Sequence, residues 1–368
     1  MTNSINVYFL NVQQGDSIVI EFCADDVNRY VVIDSNLIKK DNVFINPAYE
    51  LLKSKEVEKI STLIITHFDK DHYNGIEQLL QNIDIDKIVI PPVLSNKSKV
   101  FDDKIIKKIS DIAKDLIYRS ADEEIVQHSE SLAYLIYYLT NNETKIEEGT
   151  GKESILRFPD IPEITATTYL PFKKIKGILR QKVISDGNFN QDHFLNMNES
   201  SIAFKLACFG CTILFTGDSD YKQWRDHKNL MLKDNITNLG IQFLKAPHHG
   251  SKYNNNEELY SYFFKQDNNQ KYIFISSNGI KHPDKEIFNL IEKFDLSPFC
   301  TNLSSLCRPE NVSQFKQMNN IPENIRSVLY NYVEETPQPC QGDITLNISP
   351  KGINISNSTD RPCLYRNM

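Results

Sequence analysis

Four times in this chain a short apolar run ends on histidine or aspartate. TLIIT leads into His67, Asp69, Asp71 and His72, and ILFTG leads into Asp218. FLKAP leads into His248 and His249, and the run IFISS is followed closely by His282 and Pro283. Each run is too short for an ordinary helix and reads as a strand. Such a chain must bury these runs and bring their polar ends to one edge of a sheet, where α/β proteins build sites. His67 and Asp69 are two apart and point the same way in extended backbone. Asp71 and His72 follow as the chain turns into a helix, and Gly75 lets the backbone turn close by. One loop can thus face two metal ions with a pair of side chains each, and Asp218 suits a carboxylate shared between them. Two such ions activate a common water and clamp an in-line displacement. Taken singly, each motif has an ordinary reading: a solvated helix start, a capping histidine, a turn after a strand. Their order and common context carry the inference.

The rest of the chain alternates in the same way. INVYFLNV, SIVIEFC and RYVVID read as hairpin-linked strands, and FINPAYELLKSK as a helix with Pro47 in its first turn. STLIIT and KIVIPP are strands around the helix GIEQLLQNI. SIAFKLACFGCTILFTGD reads as a hairpin turning at Phe209–Gly210, followed by alternating helices and strands to PFCTN. Residues 98–147 show helical spacing and read as an insertion, 303–340 is polar and proline-bearing, and GDITLNISPKGINIS is a final hairpin. The boundaries expected are 1–97 and 151–302 for two halves of one α/β domain, 98–150 for the helical insertion, and 303–368 for an irregular segment and hairpin.

THFDKDH followed by NG resembles the metal-binding loop of the metallo-β-lactamase superfamily. With Asp69 at a position where many members carry histidine, it is similar to the hydrolase domain of ComEC-type DNA-uptake proteins. NVQQGDS (11–17) resembles the opening motif of that branch with Gln13 in place of glycine, and VVIDSN (31–36) its next strand with Asn36 in place of glycine. NESS (198–201), LFTGD and KAPHHGS match further motifs. The resemblance implies an αββα four-layer sandwich holding two divalent ions, zinc first, with manganese or iron as alternatives. It places His67 and Asp69 on one ion, Asp71 and His72 on the other, and Asp218 between, with His248 or His282 completing the set. Asp16, Asp34, Asn198 and Ser201 would steady the ligands from behind. Asp71 and His249 would act in catalysis, and His249, Ser251 and Lys252 would meet substrate. His193 is a further candidate ligand; His128 and His227 read as surface residues.

The activity implied is hydrolysis by a metal-bound hydroxide, most naturally of a phosphodiester in nucleic acid or a nucleotide. An esterase, amidase or protease on the same scaffold is the alternative, as is an effector subunit of a multi-protein system, for instance in antiviral defence, docking through 98–147 or 303–340. The net charge of −7 argues against a basic nucleic-acid coat. No run is long enough for a membrane span, and the start lacks a secretion signal, so a cytoplasmic location is expected. GTGK (149–152) fails the phosphate-loop pattern, with Ile146 and Glu153 at required positions. The seven cysteines suit a reducing compartment. Cys208 and Cys211 fall on the predicted hairpin turn, and Cys300, Cys307, Cys340 and Cys363 lack zinc-knuckle spacing, so all read as core or surface residues.

Overall fold

A computed structural model describes residues 3–24, 27–41, 43–92, 123–151, 154–156, 163–172, 198–304 and 339–360, with 107, 111, 161, 184–185, 188–189, 307 and 362–363. His193, most of 98–122 and most of 303–340 lie outside the described residues. The first sheet holds β1 (Ser4–Phe9), β2 (Ile18–Ala24), β3 (Val27–Ile33), β4 (Thr62–Ile64), β5 (Lys87–Ile90), β6 (Lys145–Glu148), β13 (Ile344–Ser349) and β14 (Gly352–Asn357). Their order is β6-β5-β4-β3-β2-β1-β13-β14. The second holds β7 (Thr165–Leu170), β8 (Ala203–Cys208), β9 (Cys211–Phe215), β10 (Phe243–Lys245), β11 (Lys271–Ile275) and β12 (Leu296–Cys300), side by side in chain order. β3 through β6 are parallel, as are β9 through β12, so the ends of these strands share an edge within each sheet.

Alternation along the strands explains the layers. Val31, Ile33, Ile64 and Val89 face an apolar layer that also takes Phe204, Ile213, Phe215, Phe243 and Phe274 of the second sheet. Their neighbours Val32, Leu63, Ile65 and Ile88 face the opposite side, with Leu52, Ile76, Leu79, Leu135 and Leu139. Those residues come from α1 (Pro47–Ser54), α3 (Ile76–Asn82) and α4 (Glu123–Asn141). On the far face of the second sheet, Leu214, Leu244, Ile273 and Ile275 pack with Trp224, Phe263, Phe288 and Ile291. These lie on α5 (Tyr221–Lys233), α6 (Glu257–Phe263) and α7 (Lys285–Lys293). The result is αββα, which is why the central runs are continuously apolar rather than alternating with polar residues. Phe9 and Phe274 stack across the middle layer at 4.2 Å between ring centroids.

Two local features aim this frame at the site. Asn46 caps α1, accepting from the amides of Ala48 and Tyr49, while its Nδ2 donates to the Gly75 carbonyl at 2.6 Å. A Cβ on Gly75 would stand 2.5 Å from Ser35 Oγ, so only glycine permits this close approach. Ser131 of α4 donates to the Asn74 carbonyl at 2.9 Å, tying that helix to the same turn. No helix among the described residues is long and apolar enough to cross a membrane.

Candidate metal centre

The turn after β4 carries His67 and Asp69, and α2 (Lys70–Tyr73) carries Asp71 and His72. Asp34, at the end of β3 in a left-handed conformation with φ 55°, organises this loop. Its Oδ1 accepts from the Thr66 amide at 2.7 Å, and its Oδ2 accepts from Thr66 Oγ1 at 2.6 Å and His72 Nδ1 at 2.7 Å. Thr66 thereby spends its hydroxyl proton on Asp34, so it accepts from His67 Nδ1 at 3.0 Å. After β10, His248 and His249 both take positive φ, 46° and 54°, in a short turn at Pro247–Gly250. His249 Nδ1 donates to the Ser276 carbonyl at 2.7 Å. His248 Nδ1 faces Asn254 Oδ1 at 3.2 Å, and Asn254 is itself oriented by donating to the carbonyls of Asp218 and Ser219. His67, His72 and His249 thus use Nδ1 as a donor, His248 Nδ1 lies between Asn254 Oδ1 and Asn198 Nδ2 at 3.2 Å each, and all four rings turn Nε2 inward.

Those four Nε2 atoms converge on one carboxylate oxygen. Asp218 Oδ2 lies 3.4 Å from His249, 3.5 Å from His72, 3.6 Å from His248 and 4.0 Å from His67. Asp69 Oδ2 stands 3.5 Å from His67 Nε2, and Asp71 Oδ2 stands 3.5 Å from His249 Nε2. His67, His72 and His249 are completely buried. Their Nε2 atoms have no hydrogen-bond partner, and neither do Asp69 Oδ1 and Asp218 Oδ1. Buried polar atoms are ordinarily satisfied, so this concentration of orphans calls for a missing partner. Most of these separations are too long for hydrogen bonds. Two donors each about 2.1 Å from a zinc-sized ion at a tetrahedral angle stand about 3.4 Å apart, which matches the spacing. The residues fit a divalent cation.

The electrostatics agree. Burial disfavours a charged His249, but Asp218 and Asp16 outweigh it and lift its pKa well above the usual range. His72 is lifted in the same way by Asp218 and Asp34. Burial would raise Asp218, yet His249, His72 and His248 hold it well below the carboxylate range. The pocket attracts positive charge, and an ion meets the same carboxylates while using the Nε2 lone pairs.

The remaining predicted residues fall around this centre unevenly. Asp16 is buried against Lys245 Nζ, and its Oδ1 lies 3.5 Å from His249 Nδ1. A Cβ on the preceding Gly15, at φ 101°, would fall 2.0 Å from the Asp71 carbonyl oxygen. Ser201 Oγ accepts from the Asp218 amide at 3.0 Å, and Asn198 Nδ2 stands 3.2 Å from His248 Nδ1. Ser251 is buried beside the histidine turn. His282 packs on His248, 5.5 Å between ring centroids, with Nδ1 3.7 Å from Asp284, and among the described residues joins no group of three donors. Lys252 Nζ is 3.9 Å from Glu286 at the surface. His249, expected as an acid–base group, sits with Asp71 and His72 as a donor. His227, expected at the surface, is buried, its Nδ1 2.7 Å from the Tyr262 hydroxyl. Lys245 and Asn254 were missed. The one signal was a lysine inside the apolar run FLKAP.

A family model described as the metallo-beta-lactamase superfamily matches residues 10–260, more than half of the chain. Zn(2+)-bound PqqB from Methylobacterium extorquens is similar at 11% identity, with 79% of this chain and 87% of that chain covered and a TM-score of 0.36. A diphosphatase from the PhnP family is similar at 12% identity, with 95% and 98% covered and a TM-score of 0.39. Igni18, a metallo hydrolase from Ignicoccus hospitalis KIN4/I, is similar at 10% identity, with 79% and 91% covered and a TM-score of 0.35. No curated protein matches the chain in sequence.

Proposed function

The chain belongs to the metallo-beta-lactamase superfamily, and on that premise we propose that it is a two-metal hydrolase of phosphodiesters in nucleic acid or nucleotides. The observation that carries the reading is the convergence of four imidazole Nε2 atoms on Asp218 Oδ2. His67 and Asp69 would hold one ion, Asp71, His72 and His249 the other, with Asp218 between. Bound divalent ions supply an activated water and neutralise charge developing on the phosphoryl oxygens. His248 is the most open imidazole of the set, with 28% of its side chain exposed. Burial lowers its pKa. As the most open imidazole it would be the member of the set to accept a proton during hydrolysis. Asp34 and the Ser276 carbonyl keep the ligand rings in one orientation throughout.

The choice of a phosphodiester is supported by the ComEC-like motifs NVQQGDS, THFDKDH and KAPHHGS. The net charge of −7 favours a nucleotide or short oligonucleotide over a long polymer, because polymer affinity rests on many Lys and Arg contacts. The test is hydrolysis of bis-p-nitrophenyl phosphate, a dinucleotide, single-stranded DNA and RNA, with zinc or manganese, beside ester and amide substrates. The reading expects phosphodiester cleavage that disappears in Asp71→Ala and His72→Ala. Cleavage confined to esters or amides would overturn it.

A further inference from the structure

The loop between β1 and β2 runs past the histidine centre, and one of its side chains touches a donor there. Gln14 Nε2 donates to Asp71 Oδ2 at 3.2 Å. That oxygen is the one that stands 3.5 Å from His249 Nε2. An ionised carboxylate only accepts, so the amide must turn its nitrogen to Asp71 and its oxygen away. Gln14 Oε1 is buried and has no hydrogen-bond partner, the same condition as the imidazole Nε2 atoms. A glutamine placed for packing alone would have both ends of its amide satisfied.

The backbone around Gln14 is pinned on both sides. Gln13 takes φ 61°, and its amide donates to Asn11 Oδ1 at 3.0 Å. Asn36 Nδ2 donates to the Gln14 carbonyl at 2.7 Å, and Ser276 Oγ to the Gly15 carbonyl at 2.8 Å. The Asp16 amide donates to the Asp71 carbonyl at 3.3 Å. Asn36 lies just after β3 of the first sheet, and Ser276 directly follows β11 of the second. Ser276 is also the residue whose carbonyl accepts from His249 Nδ1. One short loop therefore bridges the two sheets and bears on Asp71 from one and on His249 from the other. Those two residues and His72 form a group whose donor atoms all lie within 4.8 Å of one another.

We infer that Gln14 is a positioning residue of the centre, which fixes the Asp71 carboxylate for the ion that Asp71 shares with His72 and His249. The inference rests on the two-metal reading of the site, though not on its substrate. The two imidazoles of the group are completely buried and locked by Asp34 and by the Ser276 carbonyl. The Asp71 side chain is 18% exposed, and Gln14 gives it the corresponding lock. A neutral amide suits that task. It orients the carboxylate without bringing a positive charge that would compete with the cation.

The test strips the full chain with a chelator and titrates it with zinc in a calorimeter. Wild type should take up two ions. In Gln14→Met, which keeps the length and loses the amide, one ion should bind as in wild type and the other about 10–100-fold more weakly. Gln14→Ala should behave alike, so the result does not depend on one variant folding; Gln14 is only half-buried. Melting temperatures of the metal-free variants should match wild type. Gln13→Gly, at an exposed neighbour whose φ of 61° glycine adopts freely, should leave both ions unchanged. Two ions held at wild-type strength in both Gln14 variants would overturn the inference and leave the two-metal reading standing. Equal weakening of both ions would also overturn it, since the loop would then support the whole centre rather than Asp71. A wild type that takes up fewer than two ions would defeat the two-metal reading and the inference with it.

Discussion

The histidine centre draws its donors from strand ends of both sheets, whereas Cys300, Cys307 and Cys340 share one apolar cluster on the far face of the second sheet, and the two regions spend free energy differently. In the first, the Nδ1 atoms of His67, His72 and His249 are committed to partners behind them, which leaves their buried Nε2 atoms with nothing to bond. An unsatisfied buried polar atom costs about 1–3 kcal/mol, so this region is preorganised at the expense of stability. In the second, Cys300, Cys307 and Cys340 pack among Leu303 and other apolar side chains, a burial that is close to harmless for thiols. The contrast teaches that one region is shaped for a ligand before it binds, whereas the other is built as core. Substitution should separate them: loss of a donor at the histidine centre removes activity with little loss of fold, and loss of a cysteine weakens the fold.

The largest effect expected is from Asp218→Ala, which removes the carboxylate shared by all four imidazoles. Hydrolysis should fall below detection while the far-ultraviolet dichroism stays native. A variant that unfolds instead would erase the distinction between the two regions. Lys245→Ala should cost about 3–5 kcal/mol in denaturant unfolding, because it leaves Asp16 buried without its cation. A much smaller loss would mean that Asp16 is held chiefly by the histidine centre. Asp34→Asn keeps the shape but weakens the acceptor that orients His72; a drop of about 10–100-fold in metal affinity or activity is expected. Titration with zinc while activity is followed would measure it.

The smallest effect lies well away from both regions. Burial would raise Glu21, but hydrogen bonds from Tyr8, Tyr30, Lys55 and Asn6 outweigh it and lower its pKa. A depressed folded-state pKa contributes stability that is present above the unfolded value and lost as pH falls through the folded one. Melting temperature followed into acid should therefore decline less steeply for Glu21→Gln than for wild type. Equal slopes would show that this network adds nothing to acid sensitivity.

Sequence made the histidine centre legible because its donors are local: His67, Asp69, Asp71 and His72 share one turn. The strands were legible for a related reason. With both faces of the central strands covered, runs such as YVVI and LIIT stay apolar throughout. What sequence could not divide was the labour of His248 and His249. That depends on two consecutive left-handed residues, and only the turn itself decides which ring goes inward. Lys245 reads as a break in an apolar strand until Asp16, 229 positions earlier, is seen to receive it. The meeting of Cys300, Cys307 and Cys340 in one apolar cluster lay further out of reach, since no periodic spacing links them. Backbone pairing at Thr301, Cys340 and Thr359 brings them together.

Metal content decides the central claim most directly. Wild type and His72→Ala/Asp218→Ala would be purified side by side, exchanged into zinc and analysed for metal per chain. A difference of two ions is the predicted result. Equal metal content in the two proteins would contradict it, and the convergence of imidazoles on Asp218 would then be a cluster of protonated histidines around a buried carboxylate.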